Sequence, residues 1–119
     1  MMVNLSKPHK NSITKVSKGE VWLAHDINSN KVRPFLIMSD ELSGIDIDVT
    51  VTPTTTHNKR NEYDIEIIYW KDAGLSMASV ARCSKITVFS YLYLVRKLGI
   101  LAESDMKRVN DATRKYLAL

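Results

Sequence analysis

Ile45-Asp46-Ile47-Asp48-Val49-Thr50-Val51-Thr52 alternates apolar and polar side chains, the period of a strand with one face in a core and the other in water. It runs into Pro53-Thr54-Thr55-Thr56-His57 and then a charged loop, Asn58-Lys59-Arg60-Asn61-Glu62. Upstream, Glu20-Val21-Trp22-Leu23-Ala24-His25 is rich in strand formers, and Asp26-Ile27-Asn28-Ser29-Asn30 has the composition of a turn. A second strand is expected over Val32-Arg33-Pro34-Phe35-Leu36-Ile37-Met38. Its unbroken apolar end points to burial, and Pro34, lacking a backbone donor, belongs at its start or at a sheet edge. Ser39 to Gly44 is a polar loop.

Downstream, Tyr63 to Tyr69 alternates again, with Ile65 and Ile67 on one face, and Trp70-Lys71-Asp72-Ala73-Gly74-Leu75 is a turn. Ser79 to Ile86 is expected as a fifth strand, Phe89 to Tyr93 as a short turn of helix, and Leu94 to Ile100 as a last strand. The period then changes. From Glu103 onward, Met106, Val109, Ala112, Tyr116 and Leu117 recur at helical spacing. Glu103 and Asp105 in the first turn suit the positive end of a helix dipole. Five or six short strands and one helix in 119 residues predict a mainly β fold, a small barrel or curled sheet closed by a C-terminal helix.

The formal net charge is +4, which invites a nucleic-acid reading. Residues 1–19 hold Lys7, Lys10, Lys15 and Lys18 and no acid, while residues 20–119 hold 13 basic and 13 acidic side chains. The excess is therefore a property of the N-terminal arm, residues 1–17, and its flank, and residues 20–119 are balanced. No apolar run approaches the length of a membrane helix, and the start lacks a signal-peptide core. One cysteine, Cys83, forms no internal disulfide, which fits a reducing cytoplasm. Cys83 reads as a small buried hydrophobe and Trp22 as a core residue.

His9, His25 and His57 lie far apart in sequence, and neither a CxxC pair nor an acidic calcium loop occurs, so no metal is expected. Neither GxGxxG, a Walker loop nor GxSxG is present, so no cofactor is expected. The remaining chemistry is cationic and hydroxyl-rich: Arg33 at a strand start, and Pro53-Thr54-Thr55-Thr56-His57 at a strand end. An arginine and a hydroxyl aimed at one phosphate stabilise the charge of a phosphorane-like transition state. RNA carries its own nucleophile, the 2′-hydroxyl, so its cleavage requires neither metal nor covalent residue.

Lys18-Gly19-Glu20-Val21-Trp22, Val32-Arg33-Pro34-Phe35-Leu36-Ile37-Met38-Ser39 and Val51-Thr52-Pro53-Thr54-Thr55 resemble successive blocks of the MazF/PemK toxins. Trp70-Lys71-Asp72-Ala73-Gly74-Leu75, Ser79-Val80-Ala81-Arg82, Lys85-Ile86 and Arg96-Lys97-Leu98-Gly99-Ile100-Leu101 are similar to the second half of that family. The resemblance runs in order over about residues 18–118. It implies an SH3-like curled antiparallel sheet, a homodimer, and a cytoplasmic, metal-independent endoribonuclease acting on single-stranded RNA. A cognate antitoxin is the implied protein partner. The family's catalytic arginine and threonine fall on Arg33 and Thr55, although Thr54, Thr55 and Thr56 are consecutive and any of the three could align with the active hydroxyl. By the same resemblance Arg33 acts in proton transfer and phosphate stabilisation, and Thr55 hydrogen-bonds the scissile phosphate.

Substrate contacts are expected from Ser39, Thr56, His57, Arg82 and Lys85. Three also have a plainer reading: loop capping for Ser39, solvation for Arg82 and Lys85. The loop Asp26 to Lys31 is shorter than the family's and lacks its Gly-Ser-Glu-Gln stretch, and Thr87 stands where many members carry a basic residue. Two other functions fit the same residues: a non-catalytic small barrel that binds a protein such as a topoisomerase, like the CcdB-type toxins, or an inactive RNA-binding relative.

Overall fold

The computed structural model describes residues 15–40 and 48–119. Most of the N-terminal arm, the expected loop from residue 41 and the first three residues of the Ile45–Thr52 strand lie outside the described residues. Seven strands and one α-helix are present among those described: β1 Glu20–Asp26, β2 Lys31–Ile37, β3 Asp48–Thr55, β4 Asp64–Glu66, β5 Val80–Arg82, β6 Thr87–Ser90, β7 Leu94–Ile100 and α1 Glu103–Leu117. The strands are antiparallel in the order β4-β5-β3-β2-β1-β7, with β6 also on β3. No pairing joins β4 to β7 among the described residues. The sheet is therefore open, not a barrel closed on itself.

β3 is the hub. One edge pairs with β2 through Val51–Pro53, and the other is shared by β6 along Asp48–Val51 and β5 at Thr54–Thr55. The pleat sorts side chains between two cores. Trp22, Phe35, Ile37, Val49 and Val51 pack on one face; Val21, Leu36 and Ala81 pack on the other with Val109 and Ala112 of α1. The expected wet face of β3 holds at exposed Asp48 and part-exposed Thr50 and is lost further along the strand for this reason. Thr52 and Thr54 are buried because the helix side of the sheet is also covered.

Two expected strands are shorter than their sequence patterns. The Tyr63–Tyr69 pattern yields only β4, after which Ile67 turns into the core and the chain enters turns. The Ser79–Ile86 pattern yields β5 and then a 3₁₀ turn at Cys83–Lys85, where buried Cys83 is drawn towards the Val109 carbonyl of α1. The residues after it form β6, which pattern reading overlooked, and the expected helical turn narrows to Tyr91–Tyr93. Trp22 is in the core as expected. The helix stripe is buried at Val109 and Ala112 and half-buried at Met106, but Tyr116 and Leu117 are exposed, Tyr116 meeting Tyr63 edge to face.

Three local features fix the frame. Asp26 closes the β1–β2 turn: its carbonyl accepts from the amides of Ser29 and Asn30, its carboxylate accepts from Asn28 N, and Asn30 takes a left-handed φ of 57°. Glu20 accepts from the Trp22 indole and the Ser17 amide and pairs with Lys97. Burial alone would raise its pKa, but these hydrogen bonds and the Lys97 charge together hold the carboxyl below its ordinary value. Third, the 70–75 turn presses against β7 at two glycines. A Cβ at Gly74 would lie 2.2 Å from the Leu98 carbonyl oxygen, and one at Gly99 would lie 2.6 Å from that of Ala73.

Candidate active site

The β2–β3 ladder runs Ile37↔Val51, Leu36↔Thr52 and Phe35↔Pro53, then stops. Pro53 and Pro34 have no amide proton, so backbone pairing has little to continue it. A side chain takes over, with Thr54 Oγ1 donating to the Pro34 carbonyl at 3.0 Å. Carrying the register two residues further sets Arg33 opposite Thr55. Both line one cleft of about 170 Å³, together with Thr56, His57, Ser76, Met77 and Ser79.

The three neighbouring threonines are thereby distinguished. Thr54 is buried, and its hydroxyl proton is committed to Pro34. Thr55 Oγ1 accepts from the His57 amide at 3.2 Å. A hydroxyl has one donor and two acceptor positions, so that bond orients Thr55 while its proton stays available to an incoming oxygen. Thr56 is exposed at the rim of the same cleft.

Arg33 is 45% exposed and leans back on its own hairpin. Its Nε donates to Ser29 Oγ at 3.1 Å and lies 3.5 Å from Asp26 Oδ2, while Ser29 Oγ donates to the same carboxylate oxygen at 3.0 Å. Asp26 pairs with Lys31 across the hairpin, so Arg33 is its diagonal neighbour, a spacing long side chains span. Arg33 also sits opposite Ala24, whose methyl group leaves room for the guanidinium.

Ser39, Arg82 and Lys85 do not join this cleft. Ser39 Oγ accepts from the Thr50 amide at 3.1 Å and lines a separate cavity beside Asn110 and Arg114 of α1. Arg82 Nε lies 3.8 Å from Oδ1 of the fully buried Asp64, whose Oδ2 accepts from the Arg60 amide. Lys85 is exposed and lines a larger groove of about 550 Å³ with His25, Asp26, Phe35, Pro53 and Phe89. Cys83 takes no part in the cleft: burial pushes its thiol up, nearby Asp64 adds to this and a Thr113 hydrogen bond opposes it, which makes it a poor nucleophile.

Sequence reasoning missed Asp26 and Ser29 as partners of Arg33, and Ser76, Met77 and Ser79 as walls of the cleft. The first pair left a signal, an acid in a short hairpin turn with an arginine diagonally across it. The second group left none, because only the tertiary path of the 70–79 segment brings it to β3. Among the described residues no helix is long and apolar enough to cross a membrane.

Comparison with known proteins agrees with this fold. A curated relative, a probable endoribonuclease MazF of Mycolicibacterium smegmatis, is 30% identical over 105 residues, spanning 86% of this chain and 96% of the relative. Among solved structures, an endoribonuclease in complex with its cognate antitoxin from a mycobacterial species superposes with a TM-score of 0.70 at 20% identity, covering 87% of this chain and 96% of that one. A MazE–MazF structure from Deinococcus radiodurans gives 0.71 at 16% identity, covering 90% and 99%. At these identities the structures establish the fold. The family profile described as PemK-like, MazF-like toxin of type II toxin-antitoxin system matches residues 17–117, and the chain belongs to that family.

Proposed function

We propose that this toxin is an endoribonuclease that cuts single-stranded RNA without a metal, using the RNA's own 2′-hydroxyl. The observation that carries the reading is the cleft shared by Arg33 and Thr55 at the frayed end of β2 and β3. The activity named for the M. smegmatis relative supports it.

The 2′-oxygen bonds to phosphorus as the P–O5′ bond breaks, and one proton leaves the 2′-hydroxyl while one reaches the 5′-oxygen. The products are a 2′,3′-cyclic phosphate and a 5′-hydroxyl. A guanidinium offers five N–H donors in a planar fork. With Nε resting on Ser29 and Asp26, the terminal nitrogens of Arg33 turn to the non-bridging oxygens, where charge accumulates. Thr55 donates to the same phosphate. Arg33 is the electrostatic partner, its planar fork set against the phosphate, and His57, which lines the same cleft, contacts the substrate. Thr56 contacts the substrate at the rim, and Lys85 offers a charge to phosphates in the neighbouring groove. Arg82, paired with Asp64, serves the fold, and Ser39 lies apart from the cleft in a cavity beside α1.

The toxin domain spans residues 18–119 behind a basic arm, works in the cytoplasm and forms a homodimer. Its protein partner is a cognate antitoxin, as in the mycobacterial complex, and the antitoxin chain competes with RNA for the cleft. The test is purified protein with single-stranded RNA in EDTA, with the product ends mapped. Cyclic phosphate and 5′-hydroxyl ends are expected, and Arg33→Ala forms them about 10²–10³-fold more slowly in a protein that circular dichroism finds folded. Intact RNA with the unmodified protein, in the absence of antitoxin, overturns the proposal in favour of a non-catalytic binding module.

A further inference from the structure

The Arg33–Thr55 cleft does not end at His57. A groove of about 300 Å³ continues from it, sharing Thr56, His57 and Ser79 as common walls. Its remaining lining includes Asn58, Lys59, Glu66, Ile68 and Trp70. This is an unusual wall for a loop surface. Ile68 is 60% exposed, Trp70 is half-buried with Lys71 Nζ 5.4 Å from its ring centroid, and Lys59 is exposed beside them.

The chain builds the groove firmly. Buried Asp105 at the start of α1 accepts from the amides of Ile68 and Tyr69, at 3.1 and 2.9 Å, and Arg108 donates to the Glu66 carbonyl at 2.7 Å. The backbone that displays Glu66, Ile68 and Trp70 is thus pinned to the helix, while the opposite wall, residues 56–59, follows directly from β3.

We propose that this groove holds the RNA nucleotide next to the scissile phosphate: its base lies against Trp70 and Ile68, and its phosphate meets Lys59. Glu66 repels phosphate and accepts from an exocyclic amine, so the base edge turns towards it while the backbone follows Lys59 and His57. Asn58, with both donor and acceptor atoms, adds a second reading group. The proposal rests on the ribonuclease reading and extends it to substrate selection. The larger groove at Lys85 is the competing path, but it shares no lining residue with the cleft, and its Asp26 carboxylate already holds Arg33.

The deciding measurement is fluorescence anisotropy with a labelled single-stranded 2′-O-methyl RNA, which binds but has no 2′-hydroxyl to react. Lys59→Ala is expected to weaken binding about fivefold and lower the salt slope by about 0.7. Trp70→Ala is expected to weaken it about tenfold. Trp70→Phe, which keeps an aromatic wall and the core packing, loses less and guards against a folding defect. On cleavable RNA, Glu66→Gln alters the base preference beside the cut, read by sequencing the product ends, which a purely structural role for Glu66 would not do. Unchanged affinity in Lys59→Ala and in a folded Trp70→Ala overturns the groove and leaves the ribonuclease reading standing. Failure of the unmodified protein to bind any of the RNAs overturns both.

Discussion

Asp105 and Asp26 each hold an arginine, and the two pairs behave differently because of where they sit. Asp105 is 1% exposed. It collects Arg108 and the amides of Ile68 and Tyr69, more than thirty residues away in sequence. Asp26 is 22% exposed, and its partners Asn28, Ser29 and Arg33 all belong to its own hairpin. In the interior, low dielectric and lost hydration make such contacts hard to give up. At the surface an ion pair contributes about 0–1 kcal/mol, so Asp26 can steady Arg33 without withholding it from a phosphate. The same pair of residue types makes a clamp in one place and a rest for a working side chain in the other.

The sharpest way to break this contrast is to remove the two ends of it separately. Arg33→Ala is expected to lower RNA cleavage by about 10²–10³-fold, the loss seen when one transition-state donor is deleted, with the urea midpoint essentially unmoved. A comparable fall in stability would place Arg33 among the structural arginines instead. Asp105→Ala has the opposite signature. Two partly buried amides lose their acceptor and Arg108 its carboxylate, and chemical denaturation should register about 3 kcal/mol in total. A change below about 0.5 kcal/mol, the range of neutral surface substitutions, would mean that water replaces the carboxylate.

The threonines refine the contrast at shorter range. Thr55→Val should reduce cleavage about tenfold or more while leaving thermal unfolding nearly unchanged, since its hydroxyl faces the cleft. Thr54→Val should do the reverse, costing about 1 kcal/mol through the Pro34 hydrogen bond. Equal effects on cleavage from the two would remove the distinction drawn from their hydrogen bonds.

Glu20 offers the smallest effect and a pH signature. Its folded carboxyl is held below the ordinary value. The associated stability is therefore complete above the unfolded carboxylate pKa and disappears as pH falls through the lowered folded pKa. Glu20→Gln should be about 1 kcal/mol less stable than the parent near neutrality, and the gap should close in acid. Melting curves at several pH values test this, and a gap that widens in acid contradicts it.

Much of the frame was legible because local physics decides it. The alternation over 45–52, the turn composition of 26–30 and the helical stripe after Glu103 each register a regular period or a turn former, and β1, β2, β3, β7 and α1 follow. β4 and β5 are short for a tertiary reason: Ile67 and Cys83 leave the strand path to fill the core beneath α1. β6 went unread because its face is only partly buried and it is paired to the far edge of β3. In the cleft, the resemblance pointed at Arg33 and Thr55. The commitment of Thr54 to Pro34 was invisible, since it depends on where the ladder stops. Ser39 and Arg82 look like phosphate ligands in sequence, and their partners Thr50 and Asp64 are apparent only in three dimensions.

The paired glycines of the 70–75 turn and β7 have a consequence for how this surface can diversify. Neither Gly74 nor Gly99 can gain even a methyl group unless the two backbones separate, and Gly74 also holds a φ of +84° that other residues resist. The seam is thus closed to gradual change, and the backbone beneath Trp70 is inherited as a fixed platform. New shapes in the adjoining groove must come from side chains exchanged on top of it or from lengthening the 56–62 loop opposite.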